Sequence, residues 1–96
     1  MLVLVTYDVS TELAAGRRRL RRVARACQDH GQRVQKSVFE CSLDAAQFVA
    51  FRDKLIKEID AKEDSLRFYF LGNHWRNRVE HVGASPSYDP EGFLEV

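Results

Sequence analysis

Two helix-type periodicities, each bracketed by short runs of strand formers, partition the chain and leave few ways to fold it. The first run is "VLVTYDVS", Val3 to Ser10, where β-branched and aromatic residues stop at Asp8. Ser10 and Thr11 are candidate N-caps for a helix that runs to about His30, with Gly31 as its stop. At 100° per residue Leu13, Leu20, Ala24 and Cys27 share one side, and Arg18, Arg22 and Arg25 project from the other. "RVQKSVFEC", Arg33 to Cys41, alternates as extended chain and reads as two short strands bent near Ser37. Asp44 can cap a second helix from Ala45 to about Asp60, with Phe48, Phe51, Leu55 and Ile59 inward and i,i+4 pairs Asp53/Lys57 and Lys54/Glu58 outward.

"SLRFYFLG", Ser65 to Gly72, is the clearest strand after the first; Gly72 and Asn73 then turn the chain toward a shorter strand at Arg78 to Val82. The tail holds both prolines and reads as an extended arm, with a candidate strand at Phe93 to Val96. Strand, helix, one or two strands, helix, strand and extra strands is a split βαβ plan. It predicts an α+β, ferredoxin-like βαββαβ sheet with both helices on one face, residues 1–82, followed by an arm, residues 83–96. Such a fold hosts many functions and decides none.

Ninety-six residues bury a modest share of their surface, so association with a second copy would stabilise the chain. No apolar run approaches the ~20 residues of a membrane helix. Met1 leads into the first strand without a signal-peptide pattern, and the expectation is a cytoplasmic protein with no membrane partner. Cys27 and Cys41 are too few for a disulfide scaffold and lack metal-binding spacing; Cys27, on the apolar side of its helix, reads as a buried thiol. His30, His74 and His81 also lack metal-ligand spacing, and Trp75 reads as a packing anchor.

Net charge is only +1, but its distribution is polarised. Arg17, Arg18, Arg19, Arg21, Arg22, Arg25, Arg33 and Lys36 fall in one window with Asp29 as the sole acid, whereas the last eight residues hold Asp89, Glu91 and Glu95 and no base. Unrelieved arginines on one helix repel one another, and phosphate, which matches the guanidinium fork, would remove that cost. The pattern predicts backbone binding with steep salt dependence and no base readout. Phe68 and Phe70 share a strand face, as stacking aromatics do in RNA-binding sheets, but core packing explains them equally well and no glycine-rich companion motif is present. Asp8 is a lone carboxylate. It can close a turn or lead into the helix, or it can help hold a hard divalent ion, for which one or two protein carboxylates suffice when waters and phosphate oxygens fill the remaining positions. A symmetric dimer with its axis near this strand end would double it.

These residues carry a resemblance. "YDVS" closing the first strand, the arginine-rich helix, "RVQKSVFEC" and "DSLRFYFL" at Asp64 to Leu71 together resemble the CRISPR-associated protein two family over the first three quarters of the chain. The tail "VEHVGASPSYDPEGFLEV" resembles type I members, most closely subtype I-C. The resemblance implies a homodimer that exchanges C-terminal strands and joins the CRISPR-associated protein one integrase to capture duplex DNA for spacer acquisition. It also implies a site at Asp8, shared between subunits and associated with Mg²⁺ or Mn²⁺, with Tyr7, Ser37 and Phe39 nearby. Arg17, Arg18, Arg21, Arg22, Arg25 and Arg33 are the candidate nucleic-acid contacts. Some members are described as metal-dependent endonucleases on RNA or duplex DNA; others act as DNA-binding scaffolds. With Glu12 the only acid near Asp8, the scaffold role with conditional cleavage is the expectation, against the alternative of a regulatory dimer for a small ligand.

Overall fold

The computed structural model describes residues 1–71 and 79–84. The elements run β1 (Leu2–Asp8), α1 (Ala14–His30), β2 (Gly31–Gln35), β3 (Val38–Ser42), α2 (Ala45–Glu58), β4 (Ser65–Phe70) and β5 (Val79–Gly83). One antiparallel sheet has the order β2-β3-β1-β4-β5, so the strand that comes first in the chain sits at its centre. The first four strands in the order 2-3-1-4 give the expected ferredoxin-like arrangement, and β5 adds a fifth strand on the β4 edge.

Strand alternation decides which face of the sheet is buried. Val3, Val5 and Tyr7 of β1, Phe39 and Cys41 of β3, and Leu66 and Phe68 of β4 are buried with Val23, Ala26 and Cys27 of α1 and Phe51 and Leu55 of α2 in one core. Both helices therefore cover the same face. The other parity of β1, Leu2, Leu4, Thr6 and Asp8, is exposed or half-buried. Phe48 meets Phe68 and Phe70 edge-on at centroid distances of 5.5 and 4.9 Å, so those strand aromatics are core and not a stacking platform. Both cysteines are free and buried, and burial pushes the Cys27 thiol up to about 12 and the Cys41 thiol up to about 11; they stay protonated at neutral pH.

Asp44 caps α2 as expected: its carboxylate accepts from the Gln47 amide at 2.7 Å, and the Gln47 side chain accepts from the Asp44 amide at 2.9 Å. The outward face of α2 is paired differently from the i,i+4 expectation, because Glu58 meets Arg22 of α1 at 2.8 Å. The start of α1 also differs. Leu13, and not Ser10 or Thr11, is the N-cap residue, makes no side-chain cap bond and is 69% exposed, so it drops out of the apolar seam. The cause lies far away in sequence. Ser10 donates its amide to the Asp64 carboxylate at 3.0 Å, which holds the chain extended past Ser10, and the Ser10 carbonyl sits where a Cβ on Gly16 would be. At the other end, Gly31 turns directly into β2, pressed against Glu40 and Cys41 of β3 where a Cβ would collide.

The turn expected at Gly72 and Asn73, His74, Trp75, the strand at Phe93 to Val96 and the exchange of the arm lie outside the described residues. Of the arm, Gly83 ends β5, which pairs with β4 of its own chain, and Ala84 donates to the Asp64 carbonyl at 2.8 Å.

Candidate functional site

Tyr7 builds the site. Its amide donates to the Ser37 carbonyl at 3.1 Å and its hydroxyl to the Lys36 carbonyl at 3.2 Å, which ties the β2–β3 turn to the end of β1. The turn thereby delivers Lys36 and Ser37 beside Asp8. Burial, with a smaller contribution from Cys27, raises the Tyr7 phenol above its ordinary value, although Arg33 pulls the other way. The hydroxyl is engaged and protonated, which makes Tyr7 a positioning residue and not a free acid or base.

Phe39 is fully buried one layer below, stacked on Tyr7 at 6.1 Å, and supports the site without lining it. Arg33 lies opposite Phe39 in the β2–β3 register, just before a bulge, and its guanidinium rests 5.0 Å from the Phe39 ring centroid. The ring restrains the cation, lowering the entropy lost when it binds an anion.

A cleft of about 460 Å³ opens at this strand end, lined by Tyr7, Asp8, Val9, Leu20, Arg21, Ala24, Arg33, Lys36 and Ser37. One carboxylate faces three cations. Of the sequence-predicted residues, the cleft brings together Asp8, Tyr7, Ser37, Arg21 and Arg33; Lys36, Leu20 and Ala24 join them, and only contact across the fold assigns those three to the site. Among the described residues no three His, Cys, Asp or Glu side chains gather where they could hold a metal. Asp8 is the right donor type for Mg²⁺, but one chain supplies too few ligands, and the present residues alone do not make a metal centre.

The arginines of α1 divide into two groups. Arg18, Arg21, Arg22 and Arg25 line a second groove of about 220 Å³ on the outer side of the helix. Arg22 is paired with Glu58, and Arg17 donates to the Thr11 carbonyl at 3.2 Å, but among the described residues no acid pairs with Arg18, Arg21 or Arg25. Arg21 lines both groove and cleft, joining them into one cationic track.

Arg19 stands apart, and its role is invisible in the charge run. It grips the fully buried Asp64 through Nε at 2.8 Å and through its terminal nitrogen at 3.3 Å. Asp64 also accepts from the amides of Ser10 and Asp60, at 3.0 and 2.8 Å. Burial alone would raise its pKa; the Arg19 bonds and the two amides outweigh it and hold the carboxyl below its ordinary value. This pair fixes the loop that follows Asp8. Its only sequence signal is an acid placed directly before a core strand.

The model of the family described as CRISPR associated protein Cas2 matches residues 1–79. A CRISPR-associated endoribonuclease Cas2 of Chlorobaculum tepidum is 66% identical over 94 residues, 98% of this chain and 98% of its own. The protein of the same description from Nitratidesulfovibrio vulgaris is 63% identical over 98% of this chain and 92% of its own. The crystal structure of Streptococcus pyogenes Cas2 superposes with a TM-score of 0.71 at 60% identity, covering 86% of this chain and all of that one. The chain belongs to the CRISPR associated protein Cas2 family.

Proposed function

We propose that this chain is a nucleic-acid-binding homodimer that serves CRISPR spacer acquisition beside the CRISPR-associated protein one integrase, with conditional phosphodiester cleavage at Asp8. The observation that carries the reading is the row of guanidiniums, Arg18, Arg21 and Arg25, that meet no acid among the described residues and lead along α1 into the Asp8 cleft. Guanidiniums left without acids on a folded surface match a partner that brings its own charge, and a duplex backbone brings it at regular spacing. A regulatory dimer for a small ligand leaves that row unexplained.

Cleavage is the smaller part. The names of the relatives, endoribonuclease for those of Chlorobaculum tepidum and Nitratidesulfovibrio vulgaris and endonuclease for that of Halalkalibacterium halodurans, support hydrolysis of a phosphodiester. Asp8 from two subunits and the substrate's own phosphate oxygens would hold Mg²⁺, which when bound supplies charge neutralisation and an acidified water. Ser37, at the turn, adds a hydroxyl beside the carboxylate, and Arg33 with Lys36 orients the phosphate.

The test is the purified protein with duplex DNA or single-stranded RNA, with and without Mg²⁺, comparing native with Asp8→Asn. Native and variant should bind alike, Mg²⁺ should raise the melting temperature of the native form only, and any cleavage should vanish in the variant. Cleavage that survives in Asp8→Asn would remove Asp8 from the chemistry, and loss of binding without unfolding would merge the two sites into one.

A further inference from the structure

Asp64 is fully buried, and its carboxylate meets donors only. One oxygen accepts from the Ser10 amide at 3.0 Å and from an Arg19 terminal nitrogen at 3.3 Å; the other accepts from Arg19 Nε and from the Asp60 amide, both at 2.8 Å. Four bonds use the acceptor capacity of a carboxylate, and an amide in its place would turn an NH₂ toward two donors whichever way it faced. These bonds close a triangle. Gly16 of α1 lies flush on the Ser10 carbonyl, Ser10 hangs from Asp64, and Asp64 grips Arg19, three residues after Gly16. The buried apolar side chains of α1, Val23, Ala26 and Cys27, all lie in its C-terminal half, and Leu13 supplies no side-chain cap at its start. The N-terminal half therefore takes its place from the triangle.

Asp8 is braced by the same residue from two sides. Ser10 follows it by two positions, and Ser65, next to Asp64, is its Cα partner in the β1–β4 ladder. Arg21, two positions after Arg19, lines both the cleft that holds Asp8 and the outer groove. Asp64 thus ties the strand end that carries the carboxylate to the helix that carries the guanidinium.

We propose that Asp64 is a positioning residue for the chemistry at Asp8: through Ser10 and Arg19 it fixes Asp8 against Arg21, and so sets where a bound phosphodiester meets the carboxylate. The inference rests on the reading of Asp8 as the cleavage residue. It separates two demands on the molecule. Counterion release tolerates a small shift of α1, because the same charges are neutralised, whereas a reacting group misplaced by about 1 Å can lose about a hundredfold in rate.

The full chain is assayed with Mg²⁺ on single-stranded RNA and on duplex DNA, below the melting temperature of every variant, for binding and for single-turnover cleavage. Asp64→Asn should bind within about twofold of native with the same salt slope, and should cut about a hundredfold more slowly. Arg19→Lys, which keeps a cation on Asp64 but loses the guanidinium fork, should slow cleavage by less, and it is the test variant if Asp64→Asn does not fold. Ile56→Ala, on α2 outside cleft and groove, lowers the melting temperature without touching the triangle and should cut at the native rate. Amide exchange at Ser10 should quicken more in Asp64→Asn than in Ile56→Ala. A native cleavage rate in folded Asp64→Asn, or an equal loss in Ile56→Ala, overturns the inference and leaves the reading of Asp8 intact. If the native protein cuts neither substrate, the reading of Asp8 fails and the inference fails with it.

Discussion

Arg18 and Arg19 are neighbours on one helix with opposite fates. Arg19 is largely covered and closes on the buried Asp64, so its charge is consumed within the fold. Arg18, with Arg21 and Arg25, lines a groove without an acid among the described residues. A charge run is thus two populations: cations that hold elements together and cations available to a partner. Helical spacing alone does not separate them, because the acid that captures Arg19 lies 45 residues away.

The comparison breaks most visibly at Asp64. Asp64→Ala leaves the Arg19 guanidinium and the amides of Ser10 and Asp60 without their acceptor and should cost about 3 kcal/mol of folding stability, read by denaturant unfolding. A near-neutral result would make the pair dispensable and return Arg19 to the surface group. Acid sharpens the same point. The folded carboxyl lies below its ordinary 3.8, so the pair's contribution is complete above the unfolded value and is lost as pH falls through the folded one. The melting-temperature gap between native and Asp64→Asn should hold above about pH 5 and narrow below about pH 4. The smallest effect belongs to Arg22. Its partly exposed pair with Glu58 is worth little to the fold, and engagement with Glu58 reduces its call on phosphate. Arg22→Ala should change duplex affinity by only about twofold, less than loss of Arg18 or Arg25.

Alternation in β1 and β4, the apolar spacing of α2 and its Asp44 cap made the sheet and both helices legible, because each is a local pattern that tertiary packing reinforced. Asp8, Tyr7 and Ser37 were legible through a family motif, and the cleft joins them. Leu13 was misread as seam because helix periodicity was extended back to Ser10, where a contact 54 residues distant keeps the chain extended. The Arg19–Asp64 pair was not legible for the same reason: it arises where elements meet, not within one.

The central claim is that Arg18, Arg21 and Arg25 of α1, which meet no acid among the described residues, carry the phosphate contacts. The most direct measurement is duplex-DNA affinity across a salt series for the native protein and for Arg18→Ala, Arg21→Ala and Arg25→Ala combined. Each lost phosphate contact removes about 0.9 from the slope of log affinity against log salt, so the triple variant should be shallower by about 2 to 3 while its melting temperature is kept. An unchanged slope in a folded triple variant would contradict the account and leave the arginine row as a solvated helix face.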